Sequence, residues 1–139
     1  MLNQCNVLLV SYFSSAAADI FRAGVTDAVK NGTRDAILKE KITIELDGLR
    51  EIGGDVIERS GDLFLANHRE INLQNMFSIA EAFENYFGYK RVPDEVVNDI
   101  SLSHACRHVI VHCGAIADWK MVRQLKSAHP VSRIVAINA

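Results

Sequence analysis

The chain has 139 residues, 49% of them hydrophobic and 23% charged, with a net charge of −2. That length and balance fit one soluble globular domain with a single hydrophobic core. No apolar run approaches the ~20 residues a membrane helix needs, which excludes a helical membrane protein.

The pattern is mostly helical, with only two prolines. A first helix is predicted from about Leu2 to Lys30, with Leu9, Phe13, Ala16, Ile20 and Ala23 recurring at three- and four-residue intervals. The Leu8-Leu9-Val10 cluster has no basic residue before it and no clear cleavage site, which argues against a signal peptide. Asn31-Gly32 is a suitable stop. A second helix is expected from Thr33 to Ile52, with Leu38, Ile42, Leu46 and Leu49 on one face, although Ile42-Thr43-Ile44 has strand character. Gly53-Gly54 breaks the pattern, and residues 55–70 read as a long connection with a turn at Gly61-Asp62.

A third helix is expected from Leu73 to Phe87, presenting Met76, Ile79, Ala80, Phe83 and Phe87 to the core, with Gly88 ending it. Pro93 suits the first turn of a fourth, and Asp94 and Glu95 suit its positive N-terminal end. This helix is predicted to run to His112 or Cys113, closed by Gly114. Asp118 can cap a last helix from Trp119, read as a core residue, to Ala128 before Pro130. The ending Ile-Val-Ala-Ile-Asn-Ala is read as a short strand, an extended tail, or a chain stopping before its natural end. The expected fold is therefore all-α, a bundle of four or five helices forming one domain over residues 1–139.

Charge is unevenly spread. Residues 1–100 hold ten basic against sixteen acidic side chains, leaving −6, while residues 101–139 hold five against one, leaving +4. Four of the five histidines lie in that last segment. A polyanion would be drawn there, although a solvated basic helix face is the plainer reading. Cys5, Cys106 and Cys113 are odd in number and lack metal-finger spacing, as expected of reduced thiols in a cytoplasmic protein.

Arg107-His108-Val109-Ile110-Val111-His112 places charged and titratable groups in an otherwise apolar helical stretch. Burying them without partners is costly, so a cavity, a partner chain or a substrate is expected to face them. His104, His108 and His112 form one stripe, but His104 and His112 lie ~12 Å apart along the axis, too far to share one metal ion. No carboxylate joins the stripe and Arg107 would repel a cation, so no metal is expected. Cleavage of RNA fits better. The 2′-hydroxyl is an internal nucleophile, histidines can take and give the protons, and arginine can stabilise phosphoryl charge. From spacing alone the plainer reading is still structural, with Arg and His hydrogen-bonded inside the bundle or across a dimer. Arg107 and His112 lie ~140° apart around an ideal helix and ~7.5 Å along it, so a groove completed by a second chain suits them better than one small atom.

The segment Arg107–His112, followed by Cys113-Gly114-Ala115-Ile116-Ala117-Asp118, resembles the signature of HEPN domains, an arginine, then a polar residue, then a histidine after four to six intervening positions. Its local form is similar to the RiboL-PSP branch, as are Leu73-Gln74-Asn75-Met76-Phe77-Ser78-Ile79 and Leu8-Leu9-Val10-Ser11-Tyr12-Phe13. The resemblance covers most of the chain loosely, and only Arg107–His112 is specific. It implies a HEPN-like bundle that dimerises through the motif-bearing helix, and a metal-independent endoribonuclease in a toxin–antitoxin, phage-defence or RNA-processing system. Carried over by position, Arg107 and His112 would be the catalytic pair, with His108 the polar residue beside the arginine. Lys120, Arg123 and Lys126 would guide RNA, no cofactor is implied, and an antitoxin or other regulatory protein is an implied partner. One subgroup carries a modified tyrosine two positions after the motif histidine. Gly114 stands there in this chain, so that regulation is not implied. The alternative within the family is a catalytically inactive dimerisation or nucleic-acid-binding module.

Overall fold

The computed structural model describes residues 2–90, 92–112, 116 and 119. Among the described residues the fold is all-helical, with α1 Leu2–Asn31, α2 Asp35–Leu38, α3 Leu46–Ile52, α4 Ser60–Asn67, α5 Met76–Phe87 and α6 Asp94–His112. No described helix is long and apolar enough to cross a membrane. Contacts divide the chain into two compact units. Of the described residues, 2–14, 74–77 and 92–112 belong to the first, and 15–73 with 78–90 to the second.

The second unit is built on Phe21 of α1, which is fully buried. Its ring meets Phe83, Tyr86 and Phe87 of α5 edge-on, at centroid distances of 5.5, 6.1 and 5.3 Å, and tilts against Phe64 of α4 at 5.9 Å. Edge-to-face rings add specific attraction to the apolar area they bury. Val25, Ala28, Ile37 and Ala82 complete this core. The buried line of α1 therefore runs through Val10, Ala17, Phe21, Val25 and Ala28. The expected face is corrected by one position, since Leu9 and Ile20 are exposed. α1 is apolar on more than one side, so spacing alone leaves its rotation open, and the aromatic partners of Phe21 decide it.

α1 ends where Asn31-Gly32 predicted. Gly32 has φ +62° and the Thr33 N–H reaches back to the Ala28 carbonyl at 2.9 Å, closing a Schellman turn. The single helix expected over 33–52 is corrected to two short ones. Between them the Thr43 N–H donates to Asn67 Oδ1 at 2.9 Å, which holds the β-branched Ile42-Thr43-Ile44 run out of helix. Ile37, not Leu38, is the buried residue of α2, and Leu46 and Leu49 of α3 are exposed. From 40 to 59 no residue is fully buried.

The connection expected over 55–70 contains α4. Gly61 is a packing glycine within that helix rather than a turn, and its N–H donates to Thr26 Oγ1 of α1 at 3.3 Å. α5 is shorter at its start than predicted. It buries Met76, Ile79 and Phe87 as expected, and also Ala82, while Ala80 is half-buried.

In the first unit α6 buries Val97, Ala105 and Val109, four or eight residues apart and so on one stripe. Leu102 and Cys106 pack against Ala105 and Val109. Pro93 lies just before the helix rather than in its first turn, and its carbonyl accepts the Val96 and Val97 N–H groups. The helix expected over 119–128, its cap and the C-terminal strand or tail lie outside the described residues, apart from Trp119. That residue is 77% exposed, so its reading as core is corrected.

Candidate functional site

α6 carries the polar cluster, and the N-terminal half of α1 lies beside it. Two contacts fix the pair. Phe13 and His104 meet edge-on at 6.4 Å, and Arg107 Nε donates to Ser11 Oγ at 3.1 Å. As α6 advances from 104 to 107, its partner on α1 retreats from 13 to 11, so the helices run antiparallel. This register brings Ser11 to Arg107 across 96 residues of sequence.

Arg107 is half-buried, and among the described residues no carboxylate forms an ion pair with it. Ser11 takes one of the five N–H donors of the Arg107 guanidinium, and four lie beyond that bond. His108 and His112 come together one turn apart, with ring centroids 5.0 Å apart and planes at 47°. His108 is half-buried, whereas His112, at the end of α6, is exposed. The structure thus pairs the two histidines and turns Arg107 toward α1. Lys120, Arg123 and Lys126 lie outside the described residues.

In the sequence His104 is only one member of a stripe, and the structure gives it a setting of its own. Its ring is half-buried against Phe13, and its Nε2 is buried without a hydrogen-bond partner among the described residues. Burial first, and then the neighbouring Arg107 charge, hold its pKa below the ordinary histidine value, favouring the neutral ring. Burial pushes the Cys106 thiol up, as suits a packing residue rather than a thiolate nucleophile. Ser11 carries no local signal in the sequence because its partner lies on the last described helix. Only the antiparallel register could have found it.

Two other polar groupings have self-contained explanations. His68 stacks on Phe64 at 4.3 Å, with Nδ1 2.8 Å from Glu70 Oε1 and Nε2 3.6 Å from Glu40 Oε2, and it ties the chain after α2 to the end of α4. An open groove of about 360 Å³ beside α1 is lined by Arg22, Lys30, Glu58 and Asp62, whose charges pair as Arg22–Asp62 and Lys30–Glu58. Among the described residues no group of three or more His, Cys, Asp or Glu is placed to hold a metal ion. Comparison with protein-family models, with curated proteins and with solved structures finds no match to this chain.

Proposed function

We propose that this chain is a HEPN-like, metal-independent endoribonuclease that acts as a homodimer. The observation that carries this reading is the grouping of Arg107, His108 and His112 on the last two turns of α6, with the arginine free of any described carboxylate and His112 open to solvent. His112 exchanges a proton with the 2′-hydroxyl or the leaving 5′-oxygen, Arg107 stabilises charge on the phosphoryl oxygens, and His108 supports the ring of His112.

Arg107 turns toward α1 while His112 lies against His108, so a second copy supplies the complementary half of each site. Support for that second copy comes from the apolar surface of the same unit. Leu8, Leu9 and Tyr12 on α1 are 56%, 70% and 72% exposed, and Val111 on α6 is 47% exposed. Tyr12 lies three and four positions after Leu9 and Leu8 on one side of α1, and exposed apolar side chains grouped in this way are a mark of protein–protein contact. Incubating the purified protein with labelled RNA in EDTA is the test. The expected products carry 2′,3′-cyclic phosphate ends, and intact RNA would overturn the proposal.

A second reading rests on the half-buried, hydrogen-bonded state of Arg107, which also suits a non-catalytic nucleic-acid-binding or dimerisation module. That module would bind RNA with an affinity that falls steeply with salt and would release no cyclic phosphate.

A further inference from the structure

The bond between Arg107 and Ser11 uses one particular donor. A guanidinium can grip a phosphate side-on through Nε and one Nη, or end-on through its two Nη groups. Ser11 Oγ accepts from Nε at 3.1 Å, which removes the side-on mode and leaves the Nη1–Nη2 edge. The acceptor is also neutral. No charged residue occurs in the chain before Asp19, so the half of α1 that faces α6 offers Arg107 an oxygen without a counter-charge. A carboxylate in that place would hold the guanidinium more firmly and would compete with phosphate for it.

We infer that Ser11 is a positioning residue, whose hydroxyl fixes Arg107 through Nε so that the Nη1–Nη2 edge meets the phosphate end-on. The functional half of this inference rests on Arg107 being the phosphate-binding group of the proposed nuclease. The held geometry does not, and can be measured by itself.

Two measurements on the full chain test it. The first is solvent exchange of the Arg107 Nε–H, followed by NMR in the wild type, Ser11→Ala and Ser11→Thr. Exchange is expected to be slow in the wild type and in Ser11→Thr, and at least about tenfold faster in Ser11→Ala, as for a proton that has lost its acceptor. Equal exchange in Ser11→Ala and wild type overturns the inference whatever the chain's activity. The second is RNA cleavage. Ser11→Ala is expected to lower kcat about tenfold with KM little changed, because the arginine is misaligned rather than removed. Ser11→Thr should restore it. If Arg107→Ala abolishes cleavage while Ser11→Ala cleaves as the wild type does, the positioning role is overturned and the nuclease reading stands. If Arg107→Ala cleaves normally, the nuclease site itself is misassigned and the functional half of the inference falls with it.

Discussion

Gly61 of α4 stands against the main chain of Arg22 of α1 with no room for a side chain between them. A Cβ at Gly61 would lie 2.8 Å from Arg22 Cα, and closer still to its carbonyl oxygen. Gly24 makes a second close approach, where a Cβ would meet Phe87 Cε1 at 2.7 Å. The two differ in what must yield. An aromatic ring can shift in its pocket, whereas the backbone in the middle of a long helix cannot. Gly61→Ala is therefore expected to cost about 3 kcal/mol, at the upper end of overpacking, and Gly24→Ala about 1–2 kcal/mol. Urea denaturation midpoints compare them, and an equal or smaller loss for Gly61→Ala would contradict the close helix contact.

Arg34 is the one described non-glycine residue with positive φ, at +64°, and its Nη1 donates to the Phe87 carbonyl at 2.8 Å. The left-handed backbone costs about 1 kcal/mol, while a charged hydrogen bond to a helix-terminal carbonyl contributes about 1.5–3 kcal/mol. The bond wins. Arg34→Ala keeps the strain and loses the bond, so it should destabilise by about 2 kcal/mol. Arg34→Gly relieves the strain and should lose only about 1 kcal/mol. A glycine variant more stable than the wild type would reverse that ranking.

His104 makes stability depend on pH with a definite sign. Its folded pKa lies below the ordinary histidine value, through burial and then the Arg107 charge. Above the unfolded value both states are neutral and the group contributes no pH dependence. As pH falls below it, the unfolded chain takes up the proton first, and stability declines until the folded pKa is passed. His104→Phe retains an aromatic ring near Phe13 and removes the titration. Between pH 7.5 and 5.5 the wild type should therefore lose more unfolding free energy than this variant. Identical losses in denaturant titrations would show that His104 is not held neutral by the fold.

His112 is exposed at the end of α6, so removing its ring should leave the fold unchanged. If it transfers a proton, His112→Ala should slow RNA cleavage by about 10²–10⁴-fold. His108→Ala, which removes the neighbouring ring, should cause a smaller loss. Cleavage at the wild-type rate by a folded His112→Ala protein would remove His112 from the reaction.

Helix ends were more legible in this chain than helix faces. Asn31-Gly32, Gly53 and Gly88 mark stops because a positive φ has few alternatives to glycine, and all three glycines adopt one. The rotation of α1 was not legible, since Leu9 and Ile20 are as apolar as Val10 and Phe21. Long-range aromatic packing chose between the two stripes. α4 was hidden because Gly61 suggests a turn locally, whereas its use is close packing against a helix 39 positions back in sequence. Arg107, His108 and His112 were legible as a cluster because they interrupt an apolar run. The anchoring of Arg107 was not, since a serine in an uncharged stretch carries no local signal of its partner.

The stretch from 40 to 59 holds no fully buried residue and is tied down near its start by the Thr43–Asn67 and Glu40–His68 contacts and near its end by the Lys30–Glu58 ion pair. The Phe21 cluster takes nothing from α3, so the chain there works as a splice point rather than a strut. Because loop-closure entropy grows only with the logarithm of length, extra residues placed around Gly53-Gly54 would cost little. Evolution or an engineer could change the length of this protein at that point and leave both of its cores intact.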